Sequence, residues 1–130
     1  MMRRVSNIMN ILLVDDDAGS LLGIKFAIEM MGYTCEDYIS PVEAVMQYLP
    51  ERHDLAIIDY QMPGLNGFEV LRKMRAKHPE LTAIIISGCI NIKEELECQP
   101  YILLKKPLGH DFFAVLQAVE ATRVNSFQRS

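Results

Sequence analysis

Four aspartates stand where short apolar runs end. Residues 11–14 (Ile, Leu, Leu, Val) lead into Asp15, Asp16 and Asp17, and residues 55–58 (Leu, Ala, Ile, Ile) lead into Asp59. Two further runs close on other chemistry-bearing groups, 83–86 on Ser87 and 101–104 on Lys105 and Lys106. Carboxylates gathered at one rim repel and raise one another's pKa values unless a cation neutralises them. No histidine or cysteine adjoins them, so the donor set is all oxygen. That set favours Mg²⁺ or a similar hard cation, which keeps waters and shares its shell with a phosphate. Each group also has a plainer use. Aspartates and serine cap helices, and Asp17, nearest the helical pattern that follows, is read as a cap. A lysine is a solvated charge unless it points at the rim, where it reaches a phosphoryl oxygen or pairs with the aspartates. Strand alternation places Lys106, beside Pro107, nearest that rim.

The elements that must position these groups are short strands alternating with helical patterns. The runs 11–14, 55–58, 83–86 and 101–104 are continuously apolar, as expected of strands covered on both faces in a parallel sheet. A fifth strand, 34–39, is more polar and suits an edge. Helical spacing appears over 18–31, with Leu21, Ile24, Ile28 and Met31 on one face and Gly32 as a stop. Ser40, Pro41 and Glu43 open a second helix with Val42, Val45, Met46 and Leu49 at helical spacing, and Pro50 helps to end it. Asn66 and Glu69 open a third, carrying Val70, Leu71 and Met74 and closing before His78 and Pro79. The fourth helix, between Ser87 and Lys106, is poorly written and interrupted by Pro100, so one or two turns are expected. The last places Phe112, Val115, Leu116 and Val119 on one stripe. Five βα units in this order predict right-handed crossovers and a doubly wound parallel α/β sheet. In such sheets ligands bind beyond the carboxyl ends of the strands. The polar residues 125–130 are expected to fray.

Composition narrows the function. The chain has 130 residues, of which 50% are hydrophobic and 23% charged, as in one ordinary globular domain. A net charge of −4 offers no basic field for nucleic acid or an anionic membrane. Cys35, Cys89 and Cys98 form no CxxC pair, which argues against a disulfide framework or structural zinc and for a reducing compartment. No run approaches the roughly 18 apolar residues of a membrane span, so a cytoplasmic protein is expected.

The acidic pair after the first strand, Asp59 in a D-x-x-M-P-G-x-x-G stretch (residues 59–67), Ser87 after the fourth strand and Lys106-Pro107 after the fifth together resemble the receiver domain of two-component response regulators. The resemblance covers about residues 10–123 of a single domain. It implies the flavodoxin-like fold of the chemotaxis-regulator type, five-stranded in the order 2-1-3-4-5 with five helices. It further implies that Asp59 is the phosphoryl acceptor, that Asp16 ligates Mg²⁺ directly with Asp15 acting partly through water, and that the Gln61 carbonyl completes the protein's share. Ser87 would follow the phosphoryl group and Lys106 would pair with it. The implied partners are a sensor histidine kinase or histidine phosphotransfer protein and an unidentified downstream protein, with homodimerisation left open. A stand-alone receiver is expected, with protein contact as its output.

Two features depart from the family pattern. Leu103 occupies the usual Tyr or Phe position three before the lysine, with Tyr101 as a possible substitute on the same strand face. The stretch between Ser87 and Lys106 is also short. The competing readings are a receiver-like interaction module that is never phosphorylated, and an enzyme on a similar sheet, such as an aspartyl phosphatase or a flavin protein. The phosphatase is disfavoured because a second acid two residues after the nucleophile is wanted and that position is Gln61.

Overall fold

The computed structural model of the protein describes residues 8–88 and 92–129, with residues 124–129 as backbone alone. Five parallel strands form one sheet in the order β2-β1-β3-β4-β5. They are β1 (Asn10–Val14), β2 (Thr34–Tyr38), β3 (Leu55–Asp59), β4 (Ala83–Ser87) and β5 (Ile102–Lys105). Every residue of β3 and β4 is buried, as their unbroken apolar runs require, whereas β2 is mostly half-buried at its edge. The sheet separates two cores. Leu13, Ile57 and Ile86 face Ile24, Phe112 and Leu116 on one side, and Leu12, Ile58 and Ile85 face Ala44, Phe68 and Leu71 on the other.

The helices are α1 (Ala18–Met30), α2 (Pro41–Gln47), α3 (Gly67–Lys77) and α4 (His110–Arg129). Their starts are set by side chains that satisfy otherwise unpaired backbone N–H groups. Asp17 accepts from Gly19 N, and Ser40 from Glu43 N. Asn66 and Glu69 form a reciprocal capping box. Gly32, at φ 90°, supplies the left-handed turn that stops the chain after α1.

Three expectations need correction. In α2 the residues turned inward are Pro41 and Ala44, followed by the buried residue Tyr48 that closes the helix, while Val42 and Met46 face solvent. Periodicity identified the helix, but the sheet accepted the arc carrying the smaller Ala44. The expected fourth helix is absent among the described residues. Its place is taken by a single 3₁₀ turn, Leu96–Cys98, within an otherwise irregular segment. The final helix runs through the polar residues expected to fray, its backbone remaining helical to Arg129. Cys35 and Cys98 are buried free thiols, and Cys89 lies outside the described residues.

Candidate functional site

The ends of β1, β3, β4 and β5 deliver side chains to a common rim, two from β1 and one from each of the others, because parallel strands in register finish together. Asp59 pairs with Ile86 and Ser87 with Lys105, and the next backbone N–H, that of Lys106, donates to the Ser87 carbonyl at 2.9 Å. Register therefore places Lys106 over the aspartates, while Lys105 is exposed. The Lys106 ammonium lies 2.8 Å from Asp15 Oδ2 and 3.3 Å from Asp59 Oδ1. Asp15 is fully buried, Asp59 is 6% exposed and Ser87 3% exposed. Asp16 is half-buried beside them.

Two of the three carboxylates share one lysine, which leaves negative charge uncompensated. Oxygens of Asp15, Asp16 and Asp59 lie within 4.8 Å of one another. Burial first, then the neighbouring Asp15 charge, pushes the Asp59 carboxyl up to about 6, although Lys106 pulls the other way. Burial alone would lower the Lys106 pKa. The hydrogen bond that Lys106 donates to Asp15 and the Asp59 charge outweigh it and hold that pKa above the ordinary lysine value. A dense, all-oxygen cluster with net negative charge fits a hard divalent cation.

Local backbone geometry fixes Asp59. Asp15 Oδ1 accepts from Asp17 N at 2.9 Å, which orients the Asp15 carboxylate. Beyond Asp59, Tyr60 N donates to Ile86 O at 2.8 Å and Gly67 N to Tyr60 O at 2.9 Å, closing the loop. Gly64 takes a φ of 87°, as the turn-rich composition suggests. Gly67 serves a different purpose. A Cβ there would lie 2.8 Å from Asp59 O and 3.1 Å from Tyr60 Cα, both backbone atoms. The start of α3 thus abuts the acceptor strand so closely that only glycine fits. Gly67→Ala is expected to cost about 1–3 kcal/mol, read as a lower urea midpoint at unchanged slope.

Of the residues nominated from sequence, Asp15, Asp16 and Asp59 bring their carboxylates together, Lys106 reaches two of them and Ser87 ends β4 at the same rim, while Gln61 lies two residues past Asp59 with an exposed side chain. Sequence reading missed an aromatic ladder that leaves the site. The Tyr60 ring meets Phe68 edge-on at 5.7 Å, and Phe68 meets Tyr101 at 5.0 Å. The one signal for it is the apolar residue following Gly67.

Residues 11–113 match the family model described as the response regulator receiver domain. The chain is 30% identical over 106 residues to the sensor protein EvgS of Escherichia coli K12, covering 79% of this chain and 9% of that protein. It spans well under half the length of the curated relatives it matches. A CheY-like receiver domain from Methanospirillum hungatei superposes with a TM-score of 0.75 at 25% identity, covering 92% of this chain and 98% of the other. TrrA of Thermotoga maritima, solved with Mg²⁺-BeF, gives a TM-score of 0.77 at 22% identity, with 86% and 99% covered, and supports the fold alone. That regulator has also been solved in complex with the histidine kinase ThkA.

Proposed function

The chain belongs to the response regulator receiver family, and from that premise we propose that it is a phosphorylated switch whose acceptor is Asp59. The phosphoryl donor is a phosphohistidine on a sensor histidine kinase or a histidine phosphotransfer protein. The observation that supports the reading best is the buried Asp59 carboxylate, held between the acids Asp15 and Asp16 and the Lys106 ammonium.

In the proposed step an Asp59 carboxylate oxygen forms the new O–P bond as the donor's N–P bond breaks, and the imidazole nitrogen keeps the electron pair. Little covalent help is needed, so the protein acts by positioning and by compensating charge. Lys106, already 3.3 Å from Asp59, neutralises charge on the phosphoryl oxygens. The Ser87 hydroxyl donates to one of them. Asp15, Asp16, Asp59 and the Gln61 carbonyl are the groups that would hold Mg²⁺, which when bound supplies further positive charge at the phosphoryl oxygens. Return of the phosphoryl group to water occurs on the chain's own Asp59, so no separate substrate is turned over.

Partner access supports the same reading. A mainly apolar groove of about 500 Å³ is lined by Gly19 and Gly23 of α1, Phe112 and Phe113 of α4, and Lys106. Among the described residues no helix is long and apolar enough to cross a membrane. A histidine-kinase donor implies that the domain works in the cytoplasm.

The metal requirement tests the reading. Incubation with acetyl phosphate should add one phosphoryl group per chain in Mg²⁺ and none in EDTA, and Asp16→Asn should raise the Mg²⁺ concentration needed for half-maximal incorporation at least tenfold. Incorporation equal in EDTA and in Mg²⁺ would sink the assignment of the acidic cluster.

A further inference from the structure

Helix α1 turns Leu21, Ile24 and Ile28 to the sheet and leaves a row of large apolar side chains in solvent. Leu22, Phe26 and Met30, spaced by four, are 70%, 65% and 72% exposed. Beside them, three positions back along the helix, runs the row Gly19, Gly23 and Ala27, the wall that α1 gives to the groove it shares with Phe112 and Phe113. A Cβ at Gly23 would meet nothing within 4 Å, and one at Gly19 only Asp17 Oδ1 at 3.8 Å. Glycine in mid-helix weakens the helix, and no described neighbour requires it at residue 23. What the small row leaves is open space along one side of the large row.

Rows of residues four apart are the ridges by which helices pack: the ridge of one lies in the trough beside a ridge of the other, with the axes crossing at about 50°. Here a ridge of large residues borders a trough floored by small ones. A twofold axis along the ridge sets each copy's large row over the other copy's small row, so the face is complementary to itself. Its six positions carry no charge in a chain of net charge −4, and Lys25, on the flank away from the glycines, is turned to Asp37 of β2 at 2.7 Å. An uncharged centre holding Phe and Met has the composition of an interface core. The face offers on the order of 500 Å² per copy. A stable interface takes roughly 800 Å² per partner, so a reversible, micromolar or weaker association is expected. We propose that two copies of this chain pair through α1, with Leu22, Phe26 and Met30 of each entering the groove over Gly19, Gly23 and Ala27 of the other. Pairing fills the groove that Lys106 also lines, so the dimer and a phosphodonor protein seated there exclude one another. The pairing itself does not depend on the phosphoacceptor reading.

Sedimentation equilibrium of the full chain between about 5 and 500 µM tests the pairing, with Phe26→Glu and Gly23→Leu beside the wild type. The wild-type mass should rise from one chain toward two. Both variants should dissociate at least tenfold more readily, the first by burying a charge at the centre of the face and the second by filling the trough. Phe26 is exposed and the space at Gly23 is empty, so both variants keep the core, and the urea midpoint of Gly23→Leu should be no lower than that of the wild type. As the wild type is diluted, amide NMR shifts should concentrate in residues 19–30 and 112–113. A wild type that stays monomeric throughout would overturn the proposal and leave the face to a different protein. A dimer that Phe26→Glu leaves intact would overturn it too, as would dilution shifts that spare α1.

Discussion

Asp59→Asn should make the metal-free protein more stable at pH 8, by up to about 3 kcal/mol. The Asp59 carboxyl is raised from 3.8 to about 6 by burial and then by the Asp15 charge. Each unit corresponds to about 1.4 kcal/mol, and the carboxylate that folding must bury and crowd is the source. The sign follows from proton binding. Between pH 3.8 and about 6 the folded state holds more protons at this site than the unfolded state, so stability falls as pH rises through that window. The penalty is fully present above it. Asparagine keeps the shape, removes the charge and leaves the Lys106–Asp15 pair in place. Urea unfolding in EDTA at pH 4 and pH 8 checks this: the two proteins should differ little at pH 4 and clearly at pH 8. A variant less stable than wild type at pH 8 would contradict the electrostatic account.

Lys106→Ala should act in the opposite direction on stability and more severely on chemistry. The lysine is 23% exposed at its side chain and serves a fully buried Asp15 as well as Asp59. Removing it strands two carboxylates, a change that typically costs about 3–5 kcal/mol for a buried pair. Partial exposure and protonation of Asp59 reduce that to about 2–3 kcal/mol here. Loss of a positioned charge at the transferring group should slow phosphoryl incorporation from acetyl phosphate by about 10²-fold or more. Lys105→Ala is the control, because that neighbour is exposed and should leave both quantities within error. Equal losses in the two variants would show that bulk charge, not the Lys106 contact, is responsible.

The sheet and the rim were legible from sequence because each depends on local pattern. Three of the four apolar runs became strands buried on both faces, while the fourth, β5, lies half-buried at the other edge, where spacing alone did not place it. The polar groups that followed the runs gathered where parallel strands end. Asp17, Ser40, Asn66 and Gly32 announced the helix boundaries by capping chemistry, which is local as well. What stayed hidden depends on packing across the chain. Spacing cannot say which arc of α2 the sheet accepts, so Val42 and Met46 looked inward when Pro41 and Ala44 are the buried residues. The loop glycines looked alike, yet Gly64 is needed for its positive φ and Gly67 for an approach to Asp59. The irregular segment between β4 and β5 was visible only as a shortage of residues. Its contacts to Arg72, Arg75 and Phe68 join positions more than twenty apart and leave no periodic trace.

The central claim is that Asp59 becomes phosphorylated. Intact-protein mass after incubation with acetyl phosphate and Mg²⁺, run beside Asp59→Asn, tests it most directly. The account predicts a gain of one phosphoryl group in the wild type and none in the variant, with borohydride trapping placing the modification in the peptide that contains Asp59. A gain of equal size in Asp59→Asn would contradict it, and so would a trapped wild type whose label lies on another residue.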